Sequence, residues 1–260
     1  MRGRSRDAAA LMRAKRDAAP GQMSGGDIPE TAHRRVYADL KQRLMSGDFV
    51  PGQRLVVRHL AEQFETSAMP VREALRQLVS DEALYDHPNR GVIVPEATVD
   101  TIGDLTRVRC KIEGAAVEWA AATISTAELE QLEHVNGAMG ECVRVRAMVE
   151  YLTLNRRFHF TIYRAARSVQ INQIIERMWL RAGPWLNLVR DGTMAGTGLH
   201  HHEEMIAALR SGDGNAARQA LVADITDAAD VILRAAATPL RVLPKARRRP
   251  DARSKRTLSL

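Results

Sequence analysis

Five polar side chains sit where a helical protein would ordinarily place hydrocarbon, and between them they could hold a cation and an anion. Asn155 and His159 lie four residues apart on a helical face that also carries Met148, Leu152, Ile162 and Ala166. His202 shares a face with Met205, Ile206 and Leu209, and Asp224 shares one with Leu221, Ala228 and Val231. Polar groups on inward stripes are hard to satisfy one at a time. They are easier to bury together around a divalent ion, because two imidazoles and an oxygen donor suit zinc, nickel or manganese. A core histidine that is simply hydrogen-bonded is the competing reading. Arg109 falls within the stripe Ile102, Leu105, Ile112, Ala116 and Trp119, so its charge must find an anion or reach water. Glu113, one turn on, is one such anion. The carboxylate of a bound small molecule, which a guanidinium grips with two parallel hydrogen bonds, is the other.

The elements that must carry these groups are helices. From 101 to 237 each extended segment has a period near 3.6 and no strand pattern appears, which predicts an all-helical unit of about six helices, including 101–122, 147–166, one opened near Gly198 and a last one bearing Asp224. There is no internal repeat.

Ahead of this unit the pattern changes. Val36, Leu40 and Leu44 predict a helix over 31–44, closed by Gly47 in a left-handed conformation. Pro51 and Gly52 mark a turn. A short helix over 57–64 uses Leu60, Ala61 and Phe64. Thr66 and Ser67 supply hydroxyls to cap a third helix over 68–80, with Pro70 in its first turn. Val71, Leu75, Leu78 and Val79 face inward on it, leaving Met69, Arg72 and Arg76 on other faces. The apolar runs 83–85 and 92–94, separated by DHPNRG with Asn89 and Gly91 available for positive φ, read as a hairpin. Three helices followed by a hairpin make a winged helix-turn-helix. Arg72 and Arg76 share a face four residues apart and can reach one stretch of duplex; a solvated face paired with Glu73 or Asp81 is the alternative.

Composition bounds the rest. With 45% hydrophobic and 27% charged residues among 260, the chain is neither largely disordered, collagenous nor membrane-spanning, and it has room for two domains. The basic N-terminus has no apolar stretch of signal-peptide length, so the expectation is a cytoplasmic protein with no membrane partner. Cys110 and Cys142 have no companions at metal-ligand or redox spacing and read as free thiols. The net charge of +7 is local: the last twenty residues carry eight basic side chains and one acidic, while 31–97 are balanced. Charge alone is therefore a weak argument for nucleic acid. The domain organisation expected is a disordered leader over 1–30, the winged helix-turn-helix over 31–97, the helical unit over 101–237 and a basic disordered tail over 238–260.

The stretch PGQRLVVRHLAEQFETSAMPVREALRQLVSDEALYDHPNRGVIV, above all PVREALRQL followed by NRG, resembles the DNA-binding domain of the GntR family of bacterial transcriptional regulators. LTRVRCKIEGAAVEWAA, NRRFH and HEEMIAALRSGD resemble the helical FCD effector domain of its FadR-like branch. The resemblance implies a mainly α protein, a winged helix-turn-helix joined to an FCD-like bundle. It also implies DNA contacts by Arg58, Met69, Pro70, Arg72, Asn89 and Arg90, with Arg76 added by its spacing from Arg72. Where family members commonly have arginine then threonine before the proline, Ala68 and Met69 stand here. For the effector domain it implies a small organic acid held by Arg109. A metal would sit at Asn155, His159, His202 and Asp224, with Asn155 in place of the family's acid and Asp224 in place of its last histidine.

The function expected is a ligand-responsive, non-enzymatic regulator that binds a pseudo-palindromic operator as a homodimer. The alternative is a metal-dependent hydrolase built on His159 and His202, although HHHEE is not HExxH and its consecutive histidines cannot share one helical face. A third reading is a protein that coats DNA without sequence preference through its basic tail.

Overall fold

The computed structural model describes residues 32–189 and 197–237; the expected leader and basic tail lie outside them. The first helix, α1 (Ala32–Met45), buries Val36, Leu40 and Leu44 on one stripe. It stops where Gly47 turns to φ 68°, which lets the Gly47 and Asp48 amides return to the carbonyls of Leu44 and Arg43. Next come α2 (Val57–Gln63) and α3 (Ala68–Ser80), then a hairpin of β1 (Tyr85–His87) and β2 (Gly91–Ile93) in antiparallel register, Asp86 opposite Val92. This is a winged helix-turn-helix. Ser67 occupies the N-cap of α3 as expected, but its hydroxyl makes no capping hydrogen bond. The inward face of α3 is Val71, Ala74, Leu75 and Leu78, with Val79 only half-buried.

The hairpin has a brace that turn chemistry alone does not announce. Residues before α2 run alongside β2: the Leu55 amide donates to Val92 at 2.9 Å, the Val94 amide to Gln53 at 2.9 Å, and the Gly52 amide to Val94 at 3.0 Å. What reads as a turn followed by a linker is thus a third extended segment.

The helical unit comprises α4 (Val99–Ala120), α5 (Thr126–Val145), α6 (Met148–Ala165), α7 (Val169–Ala182), a 3-10 segment (Gly183–Val189), α8 (Thr197–Ser211) and α9 (Gly214–Ala237). Two of its starts are fixed by reciprocal caps, Thr98 with Thr101 and Ser125 with Glu128. Helix α4 packs along α9 and α9 against α8, while α5 lies on α6. Trp119 does not face inward as its place in the apolar stripe suggested: it is 51% exposed. The buried face of α4 instead drifts through Glu113, Gly114, Ala116, Val117 and Ala120, because a 3.6-residue period carries position 119 off a face centred on 113 and 116–117.

The two units touch at the end of α1, which packs on α7 and the 3-10 segment. Lys41 meets Glu176 at 2.7 Å, and the Asn187 side-chain amide donates to the Gly47 carbonyl at 2.8 Å. No helix among the described residues is long and apolar enough to cross a membrane.

Candidate functional site

Helices α6, α8 and α9 bring His159, His202 and Asp224 to one point. One ligand atom from each lies within 4.8 Å of the others. His159 Nε2 is 3.3 Å from Asp224 Oδ2, and His202 Nε2 is 3.7 Å from Asp224 Oδ1. The rings are fixed from behind: Phe158 stacks on His202 with centroids 4.1 Å apart, and the two imidazoles meet edge to face at 5.1 Å. His202 Nδ1 donates to Asn136 Oδ1 at 3.2 Å, which leaves Nε2 as the lone-pair nitrogen of a neutral ring. That nitrogen is fully buried and has no hydrogen-bond partner. Burial drives the His202 imidazolium down to about 3 against the pull of Asp224. Burial alone would raise the Asp224 carboxyl, but the His159 hydrogen bond and the neighbouring rings hold it below the usual carboxylate range.

A buried lone pair aimed at a carboxylate is a repulsive arrangement that a cation between them would reverse. The donor set, two imidazoles and one carboxylate, fits a divalent transition metal. Gly198 leaves room there: a Cβ on it would lie 3.0 Å from Asp224 Oδ1 and 3.8 Å from His202 Nε2.

Around this point lies a cavity with about 710 Å³ of space between atoms, part of it open to solvent, and Asn155 and Arg109 both line it. Its walls are otherwise largely apolar, with Ile102, Trp179, Trp185 and Ile232 among them. Arg109 is committed to its internal partner: Nε and Nη2 donate to Glu113 Oε1 and Oε2 at 2.6 and 3.2 Å, and the guanidinium lies 5.2 Å over the Trp179 ring. Burial works against the Arg109 charge, yet Glu113 outweighs it and holds the guanidinium above its ordinary value. Three of its five N–H groups are not used by Glu113. Glu113, 0% exposed, also accepts from the Tyr163 hydroxyl and, at 3.2 Å, from Trp179 Nε1. The Tyr163 oxygen in turn lies 3.4 Å from His159 Nδ1, so Glu113 joins the arginine to the histidine pair.

The structure brings together His159, His202 and Asp224 of the four residues singled out from the sequence and puts Asn155 on the cavity wall; the groups that orient them were missed. Asn136 is the one polar residue in the buried stripe Leu132, Val135, Met139 of α5, a signal that was there to use; Tyr163, one turn after His159, was another. The neighbours of His202 do not join the cavity lining. His200 is exposed, and His201 is drawn to Asp227 at 3.0 Å and Glu204 at 3.1 Å.

On the winged unit, Arg72 and Arg76 are exposed on α3 and make no ion pair among the described residues, so pairing with Glu73 or Asp81 is not what the structure shows. Met69, 61% exposed, precedes Arg72 by one turn on that face, and Pro70 is half-buried in the first turn. Arg58 is exposed at the start of α2 beside Glu62 at 3.0 Å. Asn89 and Arg90 lie at the hairpin tip, Arg90 3.6 Å from Glu96. Such exposed pairs hold little energy and yield readily to phosphate.

An exposed arginine face on the third helix and a wing beside it, joined to a separate helical bundle with a largely apolar cavity, suit a transcriptional regulator. Residues 32–94 match the bacterial regulatory proteins of the gntR family, and residues 104–227 match the FCD domain. The chain belongs to the GntR family, in its FadR-like branch with an FCD domain. It is 31% identical over 190 residues to the HTH-type transcriptional regulator McbR of Escherichia coli K12, which covers 72% of this chain and 86% of McbR. The solved structure of E. coli McbR/YncC superposes with a TM-score of 0.74 at 28% identity, covering 78% of this chain and 98% of that one. A GntR regulator from Rhodococcus sp. RHA1 gives 0.66 at 26% identity, covering 78% of this chain and 97% of its own.

Proposed function

We propose that this regulator binds a pseudo-palindromic operator as a homodimer in the cytoplasm and responds to a small organic acid held beside a divalent metal in the FCD cavity. The observation that carries the sensing half is the unpartnered Nε2 of His202, buried beside His159 and Asp224, which line a cavity that Arg109 also borders. His159, His202 and Asp224 would hold the ion, with the Asn155 amide oxygen as a fourth donor. A bound divalent ion would supply positive charge for an incoming carboxylate. Arg109, positioned by Glu113, offers its remaining N–H groups to the same anion. In DNA recognition Arg72, Arg76 and Met69 face the major groove from α3, Pro70 joins them from its first turn, Arg58 clamps a phosphate, and Asn89 and Arg90 touch the backbone from the wing.

The test is a thermal-shift screen of the full chain with zinc, nickel and manganese, each with and without a panel of small acids. Stabilisation by metal, reversed by chelator and increased by an acid, is expected. No response to any metal, and none found by elemental analysis, removes the metal; no acid response removes the effector class. A gel shift with DNA from around its own gene tests the operator, and equal affinity for every sequence at physiological salt refutes it. The hydrolase alternative finds no support: of the three consecutive histidines only His202 joins His159 and Asp224, and the comparisons point to regulators.

A further inference from the structure

The wall of the proposed sensing cavity and the seat of the DNA-binding unit share one seven-residue segment, Gly183–Val189. Gly183, Trp185 and Leu186 of the 3-10 segment line the cavity together with Ala182 at the end of α7. The other side of this segment receives α1. A Cβ on Gly183 would come within 2.3 Å of the Leu44 carbonyl oxygen and 2.6 Å of Met45 Cα, and one on Gly47 would stand 3.0 Å from Leu186 Cβ. The backbones are therefore in direct contact, with no side chain between them to absorb movement. Asn187 fastens the junction through the Gly47 carbonyl at 2.8 Å. Helix α7, which leads into the segment, adds Lys41–Glu176 at 2.7 Å and Arg181–Glu82 at 3.9 Å, the latter to the loop after α3.

We infer that the 3-10 segment Gly183–Val189 is the coupling element: occupancy of the cavity shifts it, and the α1 C-terminus, seated directly on it, carries the shift to the winged helix-turn-helix. The inference rests on the proposed sensing cavity and adds the route by which that cavity speaks to DNA. Close-packed backbone transmits a displacement instead of cushioning it, and coupling between sites needs differential contacts of this kind in two states. The segment is short and held by 3-10 hydrogen bonds, which are weaker than those of the α-helices forming the rest of the wall, so a displacement there costs less than one in the helices.

The experiment uses hydrogen exchange on the full chain, read at the amides of Ser46, Gly47 and Asp48, which are bonded back to Gln42, Leu44 and Arg43. Two independent occupants are applied. One is zinc alone, with binding followed by calorimetry. The other is Ala228→Phe, which fills the cavity from α9, with Ala229→Leu as a milder filler should the first not fold by circular dichroism. The expected result is a change of about fivefold or more in exchange at these amides, lost when Asn187→Ala is added. If zinc binds and a folded filler is in place, yet exchange changes only on α6, α8 and α9, the coupling route is overturned and the metal site stands. If zinc does not bind, the filler decides the coupling on its own.

Discussion

Glu113→Ala is the sharpest single perturbation of the cavity. The carboxylate is wholly buried and accepts from Arg109 Nε and Nη2, from the Tyr163 hydroxyl and from Trp179 Nε1. Removing it strands the Arg109 guanidinium in a mostly apolar wall. Breaking a buried pair by deleting one partner costs about 3–5 kcal/mol. The Arg109 side chain keeps 16% of its surface exposed toward the cavity, so water relieves part of the charge and the expected loss is at the low end, about 3 kcal/mol. For a protein of this size that corresponds to roughly 6–12 °C in melting temperature. The assay is urea unfolding of wild type, Glu113→Ala, Arg109→Met and the double variant. The double variant should recover much of the loss, because the stranded charge goes with its partner. Equal destabilisation by Glu113→Ala with and without Arg109 would show that Glu113 serves Tyr163 and Trp179 and does not position the arginine.

Three further outcomes follow from the same geometry. Asn136→Leu removes the acceptor that fixes the His202 tautomer and should weaken zinc binding in calorimetry by about 10–100-fold; unchanged affinity would place His202 outside the ligand set. Arg72→Ala should cost about 1–3 kcal/mol and relax the sequence preference at one operator position, whereas Arg58→Ala should weaken all sequences alike and lower the salt slope by about one; binding titrations over a salt series separate the two. In chelator-treated protein, acidification should lower the melting temperature more in wild type than in His202→Leu. The folded His202 refuses a proton until about pH 3, while the unfolded one accepts it near 6.5, so its contribution is complete above 6.5 and lost as pH falls through that window.

The winged unit was legible because its signals are local. Gly47 stops a helix, Pro70 fits only the first turn of one, and the period of Val71, Leu75 and Leu78 fixes which face of α3 is free for Arg72 and Arg76. The cavity was legible to the depth of single stripes: His159, His202 and Asp224 each stood out against hydrocarbon on their own helix. Their convergence is tertiary, and so is the choice Arg109 makes between Glu113 and a guest. Sequence spacing offered both partners, and the structure shows the internal pair because Tyr163 and Trp179, 50 and 66 residues away from Glu113, complete its shell. Trp119 misled for a related reason: on a 22-residue helix a stripe defined at one end rotates out of register by the other. The braced wing was missed because pairing with β2 leaves no alternation in a segment as short as 52–55.

That brace bears on the proposed grip of the winged unit on a duplex. Gln53 and Leu55 are tied to β2 immediately before the chain turns into α2, where Arg58 stands, so the hairpin tip and that arginine are two ends of one rigid clip. Neither can be repositioned alone to suit a different strand separation. On the proposed DNA contacts, a change in groove width would be met by the duplex bending toward the clip, and the deformability of the flanking base steps would become part of what the protein selects.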